Sequence, residues 1–203
     1  MKTWIPAPVW TGETVYILGG GPSLKDFNFN KLRHKLVIGC NDAYALGSEI
    51  CDVIHFADTE WLDIHLERLN AYKGTITTTA RLNGLDSRLR TLKRYETGLH
   101  VDGIGYNGNT GLSALNLALL YGATTVYLLG FDMQLGEDGQ ANWHPNEVNE
   151  PDERHYARFL SHMDQVTADW KSKFPNTRII NLNPESKMTA FPKRDGRKHK
   201  WHA

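Results

Sequence analysis

The sequence predicts an α/β protein with a Rossmann-like, mostly parallel sheet of about six or seven strands and helices on both faces. Three observations carry this. Short apolar runs recur along the 203 residues, each stopped by small or polar residues. The runs are near-continuous and rich in Val and Ile, as in strands covered on both faces. Segments with helical spacing lie between them, and alternating strands and helices build a parallel sheet.

The first strand is read in "TVYILGG" (14–20), the second in "KLVIGCN" (35–41) and the third in "CDVIHFAD" (51–58). A helix follows over 59–73, with Trp61, Leu62, Leu66 and Leu69 near one face and Thr59 as its N-cap. "GTITTTA" (74–80) is a threonine-rich strand. "SRLRTLKRYE" (87–96) reads as a short helix, and the glycine-rich "VDGIGYNGN" (101–109) as loop or edge strand. "TGLSALNLALLYG" (110–122) is apolar nearly all round, so it is a buried helix, ending at Gly122. "TTVYLLGFD" (124–132) is the clearest strand. A long amphipathic helix over 151–174, opened by Pro151, leads to the last strand, "TRIINLNP" (177–184).

Hydrophobic residues make up 40% and charged residues 23%, an ordinary soluble composition, with no run near the roughly 18 apolar residues of a spanning helix. Formal net charge is zero, so no global field gathers nucleic acid or membrane, and nucleic acid is not an expected partner. The N-terminal residues lack a signal-peptide pattern, and two cysteines, Cys40 and Cys51, suggest no disulfide framework; a cytoplasmic location is expected. Residues 1–190 read as one nucleotide-binding domain and 191–203 as a flexible basic tail, since "KRDGRKHKWHA" (193–203) holds five Lys/Arg against one Asp.

Ligands of such sheets sit at the carboxyl ends of the strands. Those ends carry Gly19-Gly20-Gly21-Pro22-Ser23, then Asn41, then Asp58, then Asn109-Thr110-Gly111 before the buried helix, then Asp132. Glycines admit close backbone approach, and free N–H groups at a helix start favour an anion, so the glycine loop reads either as a phosphate or nucleotide seat or as a plain turn. A dinucleotide fingerprint is not completed, because Leu24 takes its last glycine position, and no P-loop pattern exists.

Taken together, "GGGPSL", the "CN" closing the second strand, and "NTGLSALNLALLYGATTVYLLGFD" resemble the bacterial sialyltransferases of glycosyltransferase family 42. They are similar also to the related domain of 6-hydroxymethylpterin diphosphokinases and flagellin-modifying factors, over roughly residues 14–184. The resemblance implies a nucleotide-activated donor, often cytidine-based. It matches Gly20, Gly21, Pro22 and Ser23 to the phosphate-side loop and Asn41 to a donor contact. It matches Thr110 and Gly111 to the turn beside the nucleotide, and Asp132 to the aspartate closing its strand. A histidine acts as general base in the sialyltransferases. His144 in "NWHPN" and His155 in "RHYAR" compete for that role, with His155 slightly favoured and Tyr156 the remaining tyrosine for a leaving phosphate. Gly20 stands where the sialyltransferases carry asparagine. Relatives of this kind often form homo-oligomers.

Three functions follow. A glycosyltransferase would use a nucleotide-sugar, a hydroxyl acceptor and the histidine, with no cofactor required. A diphosphotransferase of the pterin type would need Mg²⁺, for which Asp58 and Asp132 are the candidates. A non-catalytic nucleotide-binding module would turn nothing over.

Overall fold

The structure, a computed structural model, describes residues 3–80, 87–145 and 152–201. Among the described residues nine strands run in chain order: β1 (Thr14–Leu18), β2 (Leu36–Cys40), β3 (Val53–Phe56), β4 (Thr75–Thr78), β5 (Leu89–Thr91), β6 (Arg94–Tyr95), β7 (Ile104–Gly105), β8 (Thr125–Leu129) and β9 (Arg178–Asn181). The helices are α1 (Thr59–His65), α2 (Thr110–Leu120), α3 (Glu153–Ser161) and α4 (Met163–Lys173), with several 3₁₀ turns between elements. Seven strands form one parallel sheet in the order β5-β4-β3-β2-β1-β8-β9. The order reverses between β1 and β8, so the loops after these two strands flank the switch point.

Alternating side chains divide two cores between the faces of the sheet. Val15 and Ile17 of β1 and Val126 and Leu128 of β8 pack with α2, and Leu112, Leu115 and Leu117 of that helix are fully buried. Tyr16, Leu18 and Leu129 point the other way, toward Trp61 and Leu62 of α1 and toward Leu24 and Leu32. The continuous apolar strands are therefore explained by cover on both sides. Gly122 takes φ +90° just past α2, which only glycine adopts at no steric cost. Among the described residues no helix is long and apolar enough to cross a membrane.

Several elements differ from expectation. "SRLRTLKRYE" is not helical. Leu89 and Leu92 have helical spacing, but β4 offers an open row of backbone groups, and β5 pairs with it in register Ile76↔Leu89. Arg94 and Tyr95 pair with β7 in a second, two-stranded sheet, and Ile104 of β7 is fully buried despite its glycine neighbours. A methyl group on Gly105 would overlap the Gly98 carbonyl oxygen, so glycine there serves a close backbone crossing within the core. The expected 59–73 helix ends at His65 and tightens to a 3₁₀ turn over Arg68–Ala71, which buries Leu69 and leaves Leu66 partly exposed. The N-cap position is Asp58 rather than Thr59. The 151–174 segment is two helices broken at His162, and Pro151 lies outside the described residues.

The basic segment expected to be a solvated tail lies along the sheet edge. Asn181 N–H donates to Pro192 O, Arg194 N–H to Asn181 O and Gly196 N–H to Leu182 O, at 2.9–3.0 Å, so the segment occupies the open side of β9. Trp201 then packs its ring 5.7 Å from Tyr16 and 5.3 Å from Phe27, and the Tyr16 hydroxyl is 3.2 Å from His199 Nε2. The cations stay at the surface while the aromatic rings cover the sheet. Trp201→Ala is expected to cost about 1–2 kcal/mol, read by urea denaturation, because it strips ring contacts from a half-buried position. Limited proteolysis should leave residues 191–201 attached to the wild-type fold.

Candidate functional site

A cleft of about 330 Å³ opens at the carboxyl ends of β1, β2, β3 and β8, beneath the start of α2 and beside α3. Gly20, Gly21, Asn41, Asp58, Asn109, Thr110, Gly111, Asp132, His144, His155 and Tyr156 all line it. Pro22 and Ser23 do not; they form the 3₁₀ turn behind the wall.

The glycine loop is bare for the sake of its own chain. Gly21 N–H donates to Gly130 O at 2.9 Å, and Gly19 N–H to Leu129 O at 2.8 Å, so the loops after β1 and β8 are zipped together. A methyl group on Gly21 would sit 2.6 Å from that oxygen and 2.6 Å from Asp132 Cγ; on Gly20 it would sit 2.5 Å from Asn142 Oδ1. The carbonyls of Gly19 and Gly20 accept from Trp143 Nε1 and Trp143 N–H, at 3.0 and 2.9 Å. The expectation of free amides holding an anion therefore fails at Gly21 and Ser23.

Asp132 supplies the anion itself. Its carboxylate is 3% exposed and accepts from Ser23 N–H and Ser23 Oγ, each at 2.7 Å, and from Asn183 Nδ2 at 2.8 Å. Three donors on one buried carboxylate are what an anchor for the turn requires.

Asp58 accepts from the Tyr106 hydroxyl at 3.0 Å, and burial, then the Asp58 charge, push that phenol up to about 12. Asp58 follows β3 and Asp132 follows β8, with β2 and β1 between those strands, and both line the cleft. Among the described residues no trio of His, Cys, Asp or Glu is grouped to hold a metal ion.

The two histidines differ sharply. His155 sits at the third position of α3 in a capping box: Asp152 Oδ1 accepts from His155 N–H at 3.1 Å and lies 2.8 Å from His155 Nδ1, which also takes Asp152 N–H at 3.2 Å. That ring holds a helix end. His155→Ala is expected to cost about 0.5–1 kcal/mol of stability and to leave the pH profile of any activity in place, as urea titration and a pH–rate series would show.

His144, 14% exposed at its side chain, lies deeper. Its Nδ1 is 3.2 Å from Asp42 Oδ2 and 2.8 Å from Pro145 O. Two acceptors at Nδ1 assign the ring proton there and leave the Nε2 lone pair free to take a proton. Nε2 faces the glycine loop, 3.8 Å from where a Gly20 Cβ would stand. Burial alone would lower the His144 pKa, but the Asp42 hydrogen bond and charge outweigh it, and the net direction is up. Asp42 is held by Trp61 Nε1 at 2.5 Å and has His65 Nε2 at 3.6 Å. Burial pushes the Asp42 carboxyl up, but the bonds from His144 and Trp61 bring it below its usual value.

Asn41, at φ +50°, turns the chain out of β2, and its buried Oδ1 has no partner among the described residues. Asn109 spends its side chain on the α2 cap, accepting from Leu112 N–H at 3.0 Å. Tyr156 is buried at the cleft wall against Phe159. Asp42, Tyr106 and Arg158 also line the cleft and were not singled out from sequence. Asp42 alone had a signal: it follows Asn41 at a strand end, where a base needs its carboxylate.

No family model matches the chain, and no curated protein matches it. One solved structure does. The fold is similar to part of the MAf glycosyltransferase from Magnetospirillum magneticum AMB-1. The TM-score is 0.58 at 13% identity, over 98% of this chain and 37% of that one. The chain thus spans little more than a third of the length of that protein, and what the two share is the fold.

Proposed function

We propose that the chain is a glycosyltransferase-like enzyme that moves a sugar from a nucleotide-activated donor, such as a CMP-linked one, to a hydroxyl acceptor. The observation that carries this reading is the Asp42–His144 pair presenting Nε2 to the cleft. The fold shared with a glycosyltransferase supports it. His144 takes the proton of the acceptor hydroxyl, and Asp42 orients the ring and stabilises the imidazolium that forms. The acceptor oxygen bonds to the anomeric carbon while the bond from that carbon to the donor phosphate breaks. The electron pair leaves with the phosphate. The unpartnered Asn41 Oδ1 suits a donor hydroxyl or amine.

The test is product formation from CMP-, UDP- and GDP-sugars with chelator present. Turnover without metal, lost in His144→Ala, supports sugar transfer. Turnover only with ATP and Mg²⁺ would replace it with diphosphoryl transfer. Nucleotide binding with no product under either condition would leave a binding module.

A further inference from the structure

We propose that Arg158 is the residue that grips the donor's phosphoryl oxygens, a specificity role that rests on the nucleotide-donor reading above. The amides of Gly21 and Ser23 are spent on Gly130 O and Asp132, and the Asp132 carboxylate faces that wall with its own negative charge. A phosphate placed there would meet like charge and no free Gly21 or Ser23 donor.

Among the described residues that line the cleft, Arg158 is the single Lys or Arg, against the carboxylates of Asp42, Asp58, Glu60 and Asp132. No described residue forms an ion pair with it. Its guanidinium lies against the backbone of Gly108, with Nε 3.4 Å and Cζ 3.6 Å from where a Cβ would stand. Gly108, at φ +63°, thus seats the group by packing rather than by a carboxylate. Among the described residues none accepts a hydrogen bond from the fork, and its geometry matches two phosphoryl oxygens at once. In the transfer step the breaking carbon–oxygen bond delivers its electron pair to a phosphoryl oxygen. Arg158 meets that charge while His144 receives the acceptor's proton, so no further reagent is needed.

The experiment is calorimetric titration of the full chain, as wild type, Arg158→Gln and Arg158→Lys. The probes are CMP, UMP, GMP and AMP, their diphosphates and the matching nucleosides. For the nucleotide that binds wild type best, Arg158→Gln should weaken affinity roughly 10- to 100-fold, and Arg158→Lys should recover part of it. Nucleoside affinity should not change, and neither should the melting temperature of the unliganded protein, since the side chain is exposed. The absence of a sugar from the probes assigns the effect to phosphate rather than to a charged sugar. Equal nucleotide binding by Arg158→Gln, or an equal loss for the nucleoside, overturns the role of Arg158 alone. Silence of the wild type toward every nucleotide overturns the donor reading and this assignment with it.

Discussion

His144→Ala is expected to slow sugar transfer about 10²- to 10⁴-fold while leaving the fold intact, because it removes the imidazole whose Nε2 faces the glycine loop with the Asp42 carboxylate behind it. Asp42→Asn should fall within the same range by a different route. An asparagine can present its amide to Nδ1 and turn the proton to Nε2, the nitrogen that must accept. The pH dependence separates the two effects. The base works neutral, so kcat/KM rises as pH climbs through the His144 pKa, which Asp42 holds above its ordinary value. Without that charge the rising limb moves to lower pH even as the plateau drops. An unchanged limb in Asp42→Asn would remove His144 from the role. The same pair sets a stability window. A histidine whose folded pKa is raised lends stability that is complete below its unfolded pKa and fades as pH rises through the folded one. The lowered Asp42 lends stability that is present above its unfolded pKa and lost as pH falls through its folded pKa.

Asp132→Ala should be the most destabilising change at the cleft, about 2–4 kcal/mol, since it removes three bonds to one buried carboxylate, from Ser23 N–H, Ser23 Oγ and Asn183 Nδ2, and leaves the buried Asn183 amide without that acceptor. For a chain of this size that is a fall of roughly 5–15 °C in Tm. Asp132→Asn helps little, because its amide would turn a donor toward one of those donors. Ser23→Ala, which keeps the backbone bond, should cost only about 1 kcal/mol. Calorimetric melting of the three variants gives the order. If Asp132→Ala melted like wild type but lost turnover, Asp132 would belong to the chemistry and not to the wall.

Much of the sheet could be read in the residues. Val, Ile and Leu runs at 14–18, 36–40 and 125–129 are covered on both faces, so local pattern and burial agree. The 87–96 segment could not be read that way, because leucines three apart look helical until the vacant edge of β4 is known. Most residues singled out at the strand ends line one cleft, but what each contacts depends on partners far along the chain. Gly21 was legible as bare backbone, and that Gly130, 109 positions later, would use its amide was not. His155 looked like a base from its neighbour Tyr156; a capping box with Asp152 is a local pattern that its unusual histidine concealed. His144 required Asp42 across the fold.

The segment that closes the β9 edge bears on how the chain is assembled. The His199 ring that meets the Tyr16 hydroxyl lies 183 positions downstream of it. Until the 191–201 segment docks, Tyr16 and Tyr127 stay open on that side and the backbone groups of β9 are unclaimed, a surface on which neighbouring chains could pair. Closing so long a loop comes late and at an entropic cost that grows only slowly with length. Docking of the 191–201 segment is thus the latch that retires a sticky edge.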